Sequence, residues 1–350
     1  MKSWLLRVGA VGLSLAFVAL ICVVMGASPV DVAVSFWDGA FGTMDQTARV
    51  LSTLSPLLLC ASGLLFTFRA GLYNLGVEGQ LVAGAIAATG VAHFFPSGSP
   101  GWLVIGLALV GGMVAGALWG VLTGALHVFG RVNEIFAGLG MNFMAQGAAI
   151  YLIFGPWKRP GVASMAGTEP MDRSLWMETV GSTDASPTAL ILALLAALFT
   201  AVVIQRTYFG LRTRAVGQNL RAARVLGVPA VQQLLIVFAA CGLFAGLAGA
   251  LQVMAVFHRL IPNISSNLGY LALLVVMLAS FDMRFVLPIA IFFSVLNVGS
   301  LRLPLTLGLE SSLSGVLQGA LALVVLLLPR QERSPKRDLG RAPAEQGRGA

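Results

Sequence analysis

Charge is what this sequence has least of. Only 10% of its 350 residues are Asp, Glu, Lys or Arg, against 57% that are apolar. A soluble domain carries about 25% charged residues, so a chain of this composition cannot cover itself in water. Lysine is rarer still: Lys2, Lys158 and Lys336 follow Met1, Trp157 and Pro335. None stands in the Gly-Lys-Ser/Thr setting from which a lysine reaches nucleotide phosphates, so any ATP hydrolysis belongs to another chain. Cys22, Cys60 and Cys241 all lie inside apolar runs and read as small buried hydrophobes, with no His/Cys spacing that suggests zinc. His93, His127 and His258 fall on different apolar stretches. The clustered His/Asp/Glu, Ser/His or metal constellation of an intramembrane hydrolase or lipid transferase is therefore missing.

What the chain does have is long apolar runs, with a mean hydropathy of +0.89. A spanning helix needs roughly 20 mostly apolar residues. Such stretches fall at Val8–Met25, Val50–Phe68, Leu75–Phe95, Trp102–Phe129, Ile135–Phe154, Thr188–Gln205, Gln233–Phe257, Leu268–Phe281, Phe285–Ser300 and Leu313–Leu328. They lack period-2 alternation, and lipid admits only helices or closed barrels. The expected fold is an all-α integral membrane protein, a bundle of about 10 transmembrane helices over 1–329. Met1–Arg7 and the run after it resemble a signal peptide, but that run exceeds the usual h-region and further spans follow, so it reads as the first helix. Leu268–Phe281 is too short to cross an apolar core of roughly 30 Å and reads as a half-helix or a re-entrant segment.

Charge placement orients the bundle. With the N-terminus inside, the inner segments carry Lys2, Arg7, Arg69, Arg131, Arg206, Arg212, Arg214, Arg221, Arg224, Arg284 and six basic tail residues. The outer side keeps Arg49, Lys158, Arg159, Arg173, Arg259 and Arg302. Sixteen against six places both termini in the cytoplasm by the positive-inside rule. The net charge of +8 is thereby membrane topology and not a nucleic-acid footprint. Two polar pieces remain: an outer loop over 155–187, and a Pro/Gly/charge-rich tail over 330–350 that reads as disordered.

Several motifs stand out within the spans. Gly112, Gly116, Gly120 and Gly124 form a four-residue stripe, echoed by Gly242/Gly246 and Gly315/Gly319, and such a stripe suits close helix approach. The third span opens Arg69-Ala-Gly-Leu-Tyr-Asn-Leu-Gly-Val-Glu-Gly-Gln80. Glu78 and Gln80 there mark either a pathway or, with Asn74 as helix cap, a favourable helix N-terminus. Asn133 and Glu134 suit the start of the fifth span. Asn142 and Gln146 share a helix face and, with Asn297, either line a solute path or bond between helices. The inner loop 206–232 is basic and contains a short helix that starts at Asn219 and stops at Gly227 and Pro229. Its Ala222, Ala223 and Leu226 form a small-residue face for a partner's groove, with a solvated or lipid-attracted basic helix as the plainer reading.

With the loop and the third-span motif together, the chain resembles the inner-membrane permeases of bacterial ABC importers. The nearer likeness is to those handling simple sugars, nucleosides and branched-chain amino acids. Tyr73-Asn-Leu-Gly-Val-Glu-Gly-Gln80 is similar to their Asn-Ile-Gly-x-Glu-Gly-Gln segment. Arg214-Ala-Val-Gly-x-Asn219, then Ala222-Ala223 and Gly227, resembles their coupling loop, although Arg221 stands where that pattern has Glu. The resemblance implies a multi-pass protein of the bacterial inner membrane that pairs with itself or a second permease. It implies two ATPase subunits that use the ATP, leaving this chain no cofactor, and an extracytoplasmic solute-binding protein. Arg214, Gly217, Asn219, Arg221, Ala222, Ala223 and Gly227 would couple to the ATPase. Asn74, Glu78, Gln80, Asn142, Gln146 and Asn297 would line the path of a nucleoside or simple sugar, nucleoside preferred. The rival is an ion-coupled carrier, disfavoured because Glu78 is the one carboxylate inside a span.

Overall fold

The computed structural model describes residues 28–307, apart from 97, 160, 162–166, 181–182 and 184, with a few isolated positions beyond either end. The first and tenth expected spans, Gly315/Gly319 with their surroundings, and the 330–350 tail lie outside the continuously described residues.

Among the described residues every regular element is a helix. The order is α1 (Pro29–Phe41), α2 (Met44–Arg69), α3 (Val77–Phe94), α4 (Gly101–Val128), α5 (Glu134–Phe154), α6 (Pro187–Arg206), α7 (Tyr208–Gln218), α8 (Leu220–Val225), α9 (Ala230–Leu251), α10 (Leu268–Leu278), α11 (Met283–Gly299) and α12 (Leu303–Leu307). Helix α9 continues as a π-helical segment over Gln252–Phe257. Among the described residues six helices are long and apolar enough to cross a membrane: α2, α4, α5, α6, α9 with its π segment, and α11 with the following turn.

Local chemistry explains the boundaries. Thr43, Ser186 and Asn219 accept from backbone amides at the starts of α2, α6 and α8, and Asn133 accepts from Ile135 at the start of α5. These are the residue types that satisfy the open amides of a helix N-terminus. Gly227, at φ +78°, ends the α8 turn in the left-handed conformation that favours glycine. Two helices are not legible as such in the sequence. Helix α1 lies in a stretch whose Asp31, Asp38 and Asp45 suggest only an outer loop, and α7 occupies loop sequence ahead of Asn219.

Helices α2 and α9 form the centre. Their most apolar stretches are 83% and 72% buried, against 28% for α4. Helix α9 packs on α2, α3 and α4. The glycine stripe makes this possible: Gly112 and Gly116 of α4 lie directly against Gly242 and Gly246 of α9, and Gly246 also meets Gly84 of α3. A Cβ at Gly112 would come within 2.7 Å of the Ala250 Cβ. No side chain fits in that seam, so the backbones approach as closely as small-residue interfaces permit.

Candidate functional site: a polar junction at two broken helices

Between Arg69 and Val77 the chain leaves helical geometry and turns back into the bundle. Gly71 supplies a positive φ of +78° at the turn. Asn74, fully buried, accepts from the Gly76 amide at 3.0 Å. The helix cap itself is Gly76, so Asn74 organises the approach to α3 without occupying the cap. Its Nδ2 donates to Gln80 Oε1 at 3.3 Å and to Cys241 Sγ at 3.1 Å. Cys241 therefore accepts a hydrogen bond, a role its apolar sequence context does not reveal. Gln80 is fully buried, and its Nε2 has no hydrogen-bond partner.

This junction lies deep in the bundle. Gln80 sits beside Gly120, and α4 ends at Val128. The eight residues between them span about 12 Å of helix rise. Helix α9 starts at Ala230, and the eleven residues from there to Cys241 span about 16 Å. Gln80 and Cys241 thus lie about 12 and 16 Å inward from the ends of α4 and α9 on the side of the basic loop.

Helix α10 begins at the same level. It has 11 residues. Its rise of about 16 Å is enough for half a membrane. The helix is as short as expected, and the segment 258–267 before it is non-helical. His258, Ser266 and Asn267 there adopt positive φ angles of 55°, 48° and 60°. Glu78, in the first turn of α3, accepts the Gly269 amide at 2.7 Å. The Ser265 hydroxyl and the amides of Asn267 and Tyr270 lie around the same carboxylate. One buried carboxylate thus satisfies the Gly269 amide at the opening of α10 and lies near the positive end of its own helix.

Asn142 of α5 completes the junction. Its Oδ1 accepts the Gly79 amide at 2.7 Å, while Nδ2 donates to the Leu75 carbonyl at 2.9 Å and to Tyr270 Oη at 3.0 Å. Gln146, one turn along, donates to the Pro262 carbonyl in the broken segment. Asn74, Glu78, Gln80, Asn142 and Gln146 therefore converge on the two helix breaks. Asn297, half-buried on α11, does not join them; α11 packs against α1, α2 and α10. The contributions of Ser265, Gly269 and Tyr270 escape a reading of the sequence. The one available signal is Gly-Tyr just after Pro-Asn-Ile-Ser-Ser-Asn, polar punctuation inside an apolar run.

The basic loop forms a second group. Asn219 Oδ1 accepts the Ala222 amide at 3.0 Å and starts α8. Ala222, Arg221 and Arg224 are exposed, and Val225 and Leu226 protrude at 88% and 80% exposure. Ala223 turns inward at 2%, so the outward face is Ala222 with Val225 and Leu226. Arg214 donates to the Ile204 carbonyl at 3.1 Å, closing the end of α6. Gln233 of α9 donates to Thr213 Oγ1 at 2.7 Å, tying α7 to the central helix.

The two groups touch at a pair of glycines. A Cβ on Gly217 of α7 would meet Ala70 C at 2.9 Å and the Gly71 amide at 3.0 Å, and one on Gly71 would meet Gly217 O at 3.1 Å. The basic helices therefore bear directly on the turn that leads into Asn74 and Glu78.

Comparison with known proteins agrees with this architecture. A guanosine ABC transporter permease protein, NupP, of Bacillus subtilis is 29% identical over 91% of this chain and 91% of its own length. A nucleoside ABC transporter permease protein, NupB, of Lactococcus lactis is 25% identical over 81% of this chain and 79% of its length. A glucose ABC transporter permease protein, TsgB13, of Haloferax volcanii is 29% identical over 89% of this chain and 83% of its length. The family described as the permease component of the branched-chain amino acid transport system matches residues 46–326, and this chain belongs to it.

Proposed function

We propose that this permease forms the translocation path of an ATP-driven importer for a nucleoside, or failing that a simple sugar. Relatives named for guanosine, nucleosides and glucose support that choice of solute. Its basic end, with α7 and α8, would face the cytoplasm, and both termini would lie on that side. Helix α8 would dock in a cleft of a separate ATPase subunit, presenting Ala222, Val225 and Leu226 between Arg221 and Arg224. A second permease, identical or related, would complete the path in the bacterial inner membrane, and an extracytoplasmic binding protein would deliver the solute to the opposite end.

The observation that carries this reading is the contact of Gly217 with Gly71. A displacement of α7–α8 by the ATPase would be passed to the 70–76 turn, because neither glycine leaves room for slack. That turn holds Asn74, and through α3 it holds Glu78, the cap of α10. Two helices that begin inside the bundle could then separate or close together, which would make the junction the gate. Asn142 would act as its latch; Asn297 would stand outside it.

Helices broken at mid-depth also occur in ion-coupled carriers, and this keeps that rival in view. The deciding experiment is affinity capture of the tagged chain from its native membrane. Recovery of an ATPase that is lost when 219–227 is scrambled is the expected result. Recovery of the chain alone, with uptake persisting in ATP-free vesicles, would replace the importer with a carrier.

A further inference from the structure

We propose that the end of the bundle opposite the basic helices carries a receiving site for a neutral, polyhydroxylated solute. The site is a cavity of about 340 Å³ between the far end of α3, the start of α4 and the segment 169–175. His93, Ser99, Glu169, Asp172 and Ser174 supply its polar lining, and buried Ala92 also lines it. The proposal rests on the nucleoside-or-sugar reading above and adds a place where the solute lands before it reaches the gate.

The volume falls within the roughly 300–1,000 Å³ of small-molecule sites. The chemistry of the wall decides among ligands. Two carboxylates and a histidine could hold a cation, but among the described residues no three His, Cys, Asp or Glu side chains gather closely enough for a metal ion. Acceptors spread around a cavity suit a ligand with several separated hydroxyls. Each hydroxyl donates to a carboxylate while accepting from a serine or the imidazole. His93 is braced for this by Trp157, whose ring meets it edge-on at 5.2 Å between centroids.

Position supports the same assignment. Ala92 lies fourteen residues after Glu78, close to four full helical turns, so cavity and junction share nearly one face of α3 about 21 Å apart. Small side chains, Ala85 and Thr89, occupy that face between them, both fully buried. Helix α3 also packs against the π segment of α9. The main chain of the outer segment is fastened to the same region: the Met171 amide donates to the His258 carbonyl at 2.9 Å and the Met177 amide to the Met254 carbonyl at 3.0 Å. Trp176 stacks on His258 at 3.7 Å. The cavity wall is thus fastened to the π segment of α9 and to His258, which opens the segment leading to α10.

The test uses the complete importer in proteoliposomes with radiolabelled guanosine and ribose, and direct binding of the same two probes to the permease complex without its binding protein. The paired change Glu169→Gln/Asp172→Asn is expected to raise the half-saturation concentration for uptake, and to weaken direct binding, by about tenfold. Ser99→Trp, which fills the cavity and leaves its charges in place, is expected to do the same. Unchanged direct binding in both variants, with normal uptake by the wild type, overturns the site and leaves the importer reading intact. Impaired uptake with unchanged direct binding assigns the carboxylates to docking of the binding protein and likewise overturns it. A wild type that takes up neither probe removes the solute reading, and this site with it.

Discussion

The α4–α9 seam and the α3–α10 junction join helices in the same bundle by opposite means. In the seam, Gly112, Gly116, Gly242 and Gly246 remove side chains so that backbones touch. Nothing polar is exchanged, and dispersion over a close surface holds the helices. In the junction, side chains are the fastening: Glu78 and Asn142 together satisfy backbone groups left open by two broken helices. A close-packed seam has one good arrangement. A junction held by a few hydrogen bonds can exchange them for others, since polar contacts within membranes are individually modest. The comparison teaches that one helix carries both kinds of contact, backbone on backbone at Gly84 of α3 and side chain on backbone at Gly79.

The largest effect is expected from Gly246→Val. The added carbons would press on the backbone of Gly112 and Gly116, the latter's Cα lying 2.9 Å from the ideal Cβ. Overpacking against backbone that cannot rotate away costs about 3 kcal/mol or more, so the detergent-solubilised variant should lose its cooperative melting transition or fail to accumulate. Wild-type melting would show that the seam can open and would erase the contrast with the junction.

Asn142→Ala comes next. It leaves the Gly79 amide, the Leu75 carbonyl and the Tyr270 hydroxyl without this partner, an expected loss of about 1–2 kcal/mol. ATP-dependent uptake should fall further than stability does. Equal loss of both would place Asn142 with the seam, as a packing residue.

The smallest stability change is expected for Glu78→Gln, which keeps the shape and an acceptor for Gly269 but removes the charge at the start of α10, about 1 kcal/mol. Its melting point should stay near wild type while the ratio of solute moved to ATP hydrolysed drops. Normal coupling would mean that the carboxylate only caps α10.

Much of this is legible in the residues. The stripe at Gly112–Gly124 announces a close helix contact because spacing of four maps onto one helix face. Asn219 and Gly227 mark the ends of α8 because capping is decided within a single turn. Glu78 and Asn142 stand out because polar groups in apolar runs are costly. What they touch is not legible: Glu78 and Gly269 are 191 residues apart, and no local pattern pairs them. The small face expected on α8 comes out differently for a similar reason. Ala223 and Ala222 are adjacent in sequence, yet only packing under the bundle determines which points inward.

The sequence by itself determined the solvent, the long apolar helices and the basic character of the 206–232 loop. Each follows from composition and short-range periodicity, which every segment carries alone. Tertiary structure decided that the two breaks meet, that one carboxylate serves both, and that Gly217 bears on Gly71. These depend on satisfying buried amides and excluding space between distant segments, conditions that exist only once the helices have assembled.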